Sequence, residues 1–257
     1  MSQDAGLQFD HAHYHQVLRM ARLADAHRIA GVFQRFHPFP LDDADALQIA
    51  QTLVGGLNAY LCDDDWFVDL YTQSSAELGL AFDLDPCFPS VRASLLRCEE
   101  GARRAAWDAV DAIAALRRRA GGETPQAHQS RAERFLECTS STAIADTSSS
   151  FERLLAVAKT INPGKAAAFD GYAVQLTVAH CQRRIQPFAP QSAGRELFAF
   201  LMLAHFTFGW GMLQNPILER LLEAQAEPGL RDAAAWFGGI RQFAVQLMRS
   251  PTLSTRT

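Results

Sequence analysis

The stretch "SSFERLLAVAKTINPGKAAAFDGYAVQLTVAHCQRR", residues 149–184, holds two apolar segments of helical periodicity separated by a proline and a glycine. The pattern Ser-Ser-Phe-Glu at 149–152 is typical of a capping box, in which the serine hydroxyl accepts from a helix amide and Glu152 reaches back, and it predicts that a helix begins here. Leu154 and Ala158 then lie on one helical face. Asn-Pro-Gly at 162–164 predicts that this helix ends there in a tight turn.

The second segment predicts another helix, which follows a short connection. Tyr172 and Leu176 have helical spacing, and the arginines at 183–184 suit a last turn. Asp170 stands where this helix starts, and aspartate is a favourable N-cap residue because its carboxylate accepts hydrogen bonds from otherwise unpaired amides. The helix dipole also favours a charged carboxylate at that end.

The rest of the chain has the same helical character. "DDADALQIAQTLVGGLNAYLC", residues 42–62, begins with acids and continues with apolar residues at helical spacing. No run alternates in the manner of a half-buried strand, and no internal repeat is apparent in the sequence. With 257 residues and 48% hydrophobic composition, the chain is expected to form one mainly α, compact multi-helix domain over residues 1–257.

Composition also indicates where the protein works. Its five cysteines include no Cys-x-x-Cys pair, which argues against both a disulfide framework and a structural zinc site and favours a reducing, cytoplasmic setting. The first residues lack a charged-then-apolar leader. The most apolar run, residues 197–213, is shorter than the ~20 residues that span a membrane, so we expect a buried helix and no membrane partner.

The charge is unevenly distributed along the chain. Net charge is −4, but residues 1–100 carry 15 acidic and 6 basic side chains, whereas residues 101–257 carry 13 acidic and 18 basic ones. The basic excess of the second part would let an anionic ligand dock on one face only. The alternative is that both parts are merely solvated surface.

The segment "RLLAVAKTINPGKAAAFDGYAV", residues 153–174, resembles a pattern found in bacterial proteins related to the helix-hairpin-helix DNA glycosylases of the 8-oxoguanine type, some of which are associated with phage defence. The shared features are a leucine-rich helix, Asn162-Pro163, a short segment and Phe169-Asp170. The resemblance implies a helix-hairpin-helix unit and an enzyme that flips a modified base out of double-stranded DNA and hydrolyses its N-glycosidic bond without a cofactor or metal. It assigns the catalytic carboxylate to Asp170.

Five further side chains are candidates within this hypothesis. The only lysines of the chain, Lys159 and Lys165, are predicted either to contact a DNA phosphate or to act as a lyase nucleophile. Trp236, Phe237 and Gln242 on a final helix are candidates for the wall of a base pocket. Core packing is the alternative for these three residues.

Two other functions stay open at this stage. The chain could be a non-catalytic helical protein that binds DNA or protein and acts in regulation. It could also be a metal-dependent hydrolase that uses the histidines of "HAHYH", residues 11–15, together with the acids between Asp63 and Asp69. The sequence contains no phosphate-binding glycine loop and no serine nucleophile elbow, and it does not indicate the oligomeric state.

Overall fold

A computed structural model describes residues 11–37, 40–60, 62, 64–98, 103–120, 125–186, 193–226 and 232–249. These residues form α-helices joined by short segments, and none of them belongs to a strand. The predicted mainly α class is therefore confirmed. In chain order, the helices are α1 His11–Ala24, α2 Ala26–Phe36, α3 Asp43–Leu57, α4 Asp65–Leu78, α5 Pro89–Arg97, α6 Arg103–Ala120, α7 Pro125–Cys138, α8 Ser141–Thr147, α9 Phe151–Ile161, α10 Pro163–Ala167, α11 Gly171–Ile185, α12 Ala193–Phe208, α13 Pro216–Gln225 and α14 Ala233–Arg249.

Both helices predicted around the Asn-Pro-Gly segment are confirmed, although the cap of α9 lies one residue further along than the predicted capping box of Ser149 and Glu152. Helix α9 begins at Phe151, and the Ser150 hydroxyl accepts a hydrogen bond of 3.2 Å from the Arg153 amide. Helix α11 begins directly after Asp170, whose carboxylate accepts a 2.9 Å hydrogen bond from the Ala173 amide. Local capping chemistry therefore places both helix starts.

The predicted turn at 162–164 is wrong. Asn162 ends α9 and at once caps a new short helix, α10, by accepting a 3.1 Å hydrogen bond from the Lys165 amide with its side-chain oxygen. Pro163 occupies the first helical position, where its missing N–H costs nothing. The Asn162 amide group also donates to the Phe206 carbonyl at 3.2 Å, which fixes the chain direction at this point.

The helices build two hydrophobic cores. One is formed by residues of α2 to α6 and includes Ala173 of α11; the other is formed by residues between Phe135 and Ala244. Phe169 and Ile217 pack against both cores. Helix α11 thus lies at the junction of the two cores.

The two parts of the chain repeat one succession of elements, which the sequence alone did not reveal. We name α2 to α6 the first repeat, and α9 with α11 to α14 the second repeat. Helices α2 and α9 each have 11 residues, and α3 and α11 each have 15. Helices α4 and α12 are each followed by a three-residue 3-10 helix, at Phe82–Leu84 and Met212–Gln214. Helix pairs α5–α6 and α13–α14 complete the succession and pack together within each repeat.

The repeats meet at two glycines related by reciprocal contacts. Gly79 follows α4 with φ +97°, and Gly209 follows α12 with φ +92°. A methyl group on Gly79 would stand 2.7 Å from the Phe208 carbonyl oxygen, and one on Gly209 would stand 2.7 Å from the Leu78 carbonyl oxygen. Equal distances in both directions are what a local twofold relation between the repeats produces.

The apolar run at 197–213 forms most of α12, and its residues from Leu197 to Phe206 are largely buried in the second core. The expected buried helix is therefore confirmed. Among the described residues, no helix has both the length and the apolarity needed to cross a membrane.

Candidate functional site

Asp170 lies exposed at the N-terminal tip of α11. Its Oδ1 accepts from the Ala173 amide, as an N-cap does, while Oδ2 has no partner among the described residues. One carboxylate oxygen is therefore held by the helix and the other faces solvent. This arrangement positions a negative charge that a ligand can reach.

The first repeat contains a counterpart of this aspartate. Asp42 caps α3, and its carboxylate accepts a 2.7 Å hydrogen bond from the Asp45 amide, three residues on, as Asp170 does from Ala173. Asp42 is exposed as well. The capping geometry of Asp170 is therefore a property of the repeated scaffold, and any chemistry specific to Asp170 depends on its surroundings.

Those surroundings include a buried ion pair that joins the first repeat to α10. Lys165, 5% exposed, extends from α10, and its Nζ lies 2.5 Å from Oδ2 of the buried Asp85. The same nitrogen donates to the His205 carbonyl at 3.0 Å and lies 5.7 Å from the centroid of the Phe206 ring. The ammonium is thus enclosed on several sides by protein groups.

The ion pair breaks the symmetry of the repeats. Asp85 and Asn215 occupy equivalent positions, since each follows a 3-10 helix and precedes a proline. The Asp85 carboxylate accepts from the Cys87 amide at 3.0 Å, and the Asn215 side-chain oxygen accepts from the Ile217 amide at 2.9 Å. Of these two side chains, only Asp85 also pairs with a cation among the described residues. The charge at position 85 is therefore not needed for the turn itself.

Three charged side chains of this region, Lys165, Asp85 and Asp170, affect the pKa of the Cys87 thiol. Burial raises the pKa of Cys87 to about 12; the positive charge of Lys165 lowers it, while Asp85 and Asp170 add to the increase. Lys165, Asp85 and Asp170 are thus close enough to act on one atom. The thiol itself is protonated at neutral pH, so it is not a nucleophile.

A cavity of about 90 Å³ lies between the repeats. Equivalent residues of both repeats line it, among them Leu78 and Phe208, and Asp85 and Asn215. Lys165 also lines it. Because a cavity of roughly 150 Å³ is the size that admits benzene, a purine base does not fit here in this conformation.

The two lysines lie in opposite environments. Lys159, in the last turn of α9, is exposed and has no partner among the described residues. It can therefore reach a phosphate, and this role stays a prediction. For Lys165, either a phosphate contact or attack on a sugar requires that its pair with Asp85 first opens.

The three predicted pocket residues lie on α14, and two of them, Trp236 and Phe237, belong to the second core. Trp236 is buried in that core, and Phe237 packs edge-on against Phe200 with ring centroids 4.7 Å apart. Gln242 is exposed and accepts a 3.1 Å hydrogen bond from Gln225 of α13. Their contacts are those of core packing and helix pairing, and the base-pocket role stays a prediction.

A second polar cluster, which the sequence did not single out as a group, lies where α11 meets α12. The rings of His180 and His205 lie 4.9 Å apart, and both contact Trp210. The Nε2 atoms of both histidines are buried without a hydrogen-bond partner among the described residues. Burial lowers the pKa of His205 to about 3, and the charges of His180, Lys165 and Arg184 contribute in the same direction.

The residues considered for metal chemistry do not form a ligand set in the described part of the chain. The segment from His11 to His15 is helical, and Asp65 and Asp69 both pair with Arg28. No group of three or more potential metal ligands occurs among the described residues. Asp63 and the side chain of His11 lie outside them.

Comparison with known protein families, with curated proteins and with solved structures finds no match to this chain. The function is therefore inferred from the geometry above and from the resemblance at residues 153–174.

Proposed function

We propose that the chain is a DNA glycosylase that hydrolyses the N-glycosidic bond of a modified base, with Asp170 as the essential carboxylate. One observation carries the proposal. Asp170 presents an unpaired, exposed carboxylate oxygen at the tip of a long helix, directly after the unit formed by α9 and α10. The resemblance at residues 153–174 assigns the catalytic role to this same residue and extends the proposal to modified viral DNA. The scattered cysteines favour work in the cytoplasm.

The chemistry requires a fixed negative charge near the sugar. As the bond between C1′ and the base nitrogen breaks, the base leaves with the bonding electrons and positive charge develops on the sugar. The Asp170 carboxylate stabilises that charge, since the helix already holds its other oxygen. Water then adds to C1′, and Asp170 accepts the proton that the water loses.

The scaffold supplies a matched pair of variants for the test. Asp170→Asn and Asp42→Asn both exchange an exposed N-cap aspartate for another good cap residue at equivalent helix starts. Each protein is incubated with duplexes that carry different modified bases, and abasic sites are quantified. We expect base release by wild type and Asp42→Asn, and a loss of at least 100-fold in Asp170→Asn. Equal rates in the two variants, or no release from any duplex by wild type, would contradict the proposal.

A second candidate is a non-catalytic protein that binds DNA or protein. The observation that favours it is the equivalence of Asp42 and Asp170 as helix caps, since a cap shared by both repeats needs no catalytic explanation. This candidate predicts a binding partner in the absence of base release. The same pair of variants then gives two equally active binding proteins.

A further inference from the structure

The outer face of α11 differs from the equivalent face of α3. Beyond its first residue, Asp43, the exposed positions of α3 are Ala44, Gln48, Gln51 and Gly55, all small or polar. The equivalent exposed positions of α11, 128 residues further along, carry an aromatic, an aliphatic, a small and a basic side chain: Tyr172, Leu176, Ala179 and Arg183. The same scaffold position thus carries small or polar side chains in one repeat and side chains able to bind a partner in the other. We name these four residues of α11 the α11 stripe.

The apolar members of the stripe are strongly exposed. Tyr172 is 60% exposed and Leu176 is 40% exposed, although α11 buries its opposite face, with Ala173 in one core and Cys181 in the other. A helix held in this way presents its outer side chains rigidly. Aromatic and apolar groups fixed on a surface are suited to groove and sugar contacts with a duplex, or to stacking on a base that has left it.

The C-terminal end of the stripe is positively charged. Arg183 forms a 3.3 Å hydrogen bond only to the Ala179 carbonyl within its own helix, and neither Arg183 nor Arg184 has an acidic partner among the described residues. Their charges also lower the pKa of the half-buried His180, after burial itself. The end of α11 therefore combines two cations that no described carboxylate neutralises, which suits an anionic partner.

The dimensions of the stripe match a duplex. From Tyr172 to Arg183 the helix rises about 17 Å, at 1.5 Å per residue, which equals about five base steps of 3.4 Å. Asp170 stands just beyond Tyr172, at the tip of the same helix. A duplex lying along the stripe would therefore pass the exposed carboxylate.

We propose that the α11 stripe, together with the neighbouring Arg184, is a DNA-binding surface. Arg183 and Arg184 contact phosphates, and Tyr172 and Leu176 contact bases or sugars. The choice of DNA as the anion rests on the proposed function. The two unneutralised arginines support an anionic partner at this surface. It adds to that function a route that leads the duplex to Asp170.

The test measures binding of the full chain to a fluorescently labelled 20-base-pair duplex by anisotropy over a range of salt concentrations. For Arg183→Gln/Arg184→Gln we expect at least tenfold weaker binding and a shallower salt dependence, because binding releases fewer counterions when two phosphate contacts are lost. For Tyr172→Ala we expect about tenfold weaker binding with an unchanged salt slope. Gln48→Ala, at the position of α3 equivalent to Leu176, is the control and should bind as wild type does.

The outcomes separate this inference from the proposed glycosylase. Asp170→Asn should bind the duplex normally even where base release is lost. Stripe-dependent binding without any base release supports the DNA-binding surface and contradicts the proposed glycosylase activity. Base release with unchanged binding in every stripe variant removes the surface and leaves the enzyme. If wild type does not bind the duplex, the inference is wrong. If Tyr172→Ala instead dissociates an oligomer in sedimentation, the stripe is a protein contact and the inference is wrong as well.

Discussion

The two repeats share a scaffold but differ in where they place charge. Both use an aspartate to cap a 15-residue helix and a glycine with positive φ to turn out of the next helix. Only at the junction does one repeat provide a buried carboxylate, Asp85, for a lysine of the other part of the chain. Shared features therefore report the architecture, whereas unshared features indicate the places to look for function.

The largest effect is expected from removal of the buried cation. Lys165→Met leaves Asp85 charged and enclosed without its partner, so it should lower the free energy of unfolding by about 3–5 kcal/mol. Lys159→Met, at the other, exposed lysine, should change it by less than about 0.5 kcal/mol. Urea denaturation measures both.

A double variant sharpens the same comparison. Lys165→Met/Asp85→Asn gives the first repeat the residue that the second has at Asn215, and it should regain part of the stability lost in Lys165→Met, since no uncompensated charge remains. A Lys165→Met protein as stable as wild type would show that the pair does not join the first repeat to α10.

The next effect concerns pH, at a position where the repeats differ. His205 occupies the place of Ser75 in the first repeat. Its pKa is lowered to about 3 from 6.5 in the folded chain, so between these values the unfolded chain binds more protons at this residue. Its contribution to stability is complete well above pH 6.5 and is lost as pH falls, by about 2 kcal/mol between pH 6.5 and 4.5.

Urea denaturation at several pH values checks this expectation. His180, whose pKa is also lowered, contributes in the same direction. His205→Phe should reduce the loss of stability with acid, while His27→Gln, at an exposed histidine of α2, should retain the wild-type slope. An unchanged slope in His205→Phe would contradict the assignment.

Two glycine variants test whether the repeats are related as described. Gly79→Ala and Gly209→Ala each place a methyl group 2.7 Å from the opposite carbonyl oxygen and at positive φ, so each should lower stability by about 2 kcal/mol. Equal losses are expected because the contacts are reciprocal. Gly55→Ala, in α3 with open space around it, should instead stabilise by about 0.5–1 kcal/mol. Clearly unequal losses at 79 and 209 would count against the twofold relation.

The smallest effect is that of the helix caps. Asp42→Ala and Asp170→Ala each remove an acceptor for one helix amide, so each should lower the free energy of unfolding by about 1 kcal/mol. Thermal or urea unfolding measures both variants. A much larger loss at Asp170 would mean that this residue supports the junction beyond its own helix.

Local signals in the sequence predicted a substantial part of this structure. The starts of α9 and α11 follow from Ser150 and Asp170, because N-capping depends on neighbouring amides alone. The sequence predicts a turn where the structure has the short helix α10, since Asn162-Pro163 can end one helix or begin another. The hydrogen bond from the Asn162 side chain to the Phe206 carbonyl decides between the two.

The candidate site was harder to predict, since it depends on contacts between distant residues. Asp85 and Lys165 are separated by 80 positions, and no local pattern couples them. The one available signal was the recurrence of a glycine and an Asp-Pro or Asn-Pro pair at a spacing of 130, at Gly79 and Gly209 and at residues 85–86 and 215–216. The sequence contains the residues of the α11 stripe, but only the comparison with the equivalent face of α3 shows that their composition is unusual for this scaffold position.

The contact between Gly79 and Gly209 also explains why the repeats are nearly invisible in the sequence. A residue on the local axis faces its own counterpart, so the same steric limit applies to both copies and both must lack a side chain. Away from the axis, each repeat packs against different neighbours. A side chain in one repeat therefore does not restrict the residue at the equivalent position of the other. Searches for hidden repeats in helical proteins should therefore weight a few glycines at a fixed spacing above average similarity.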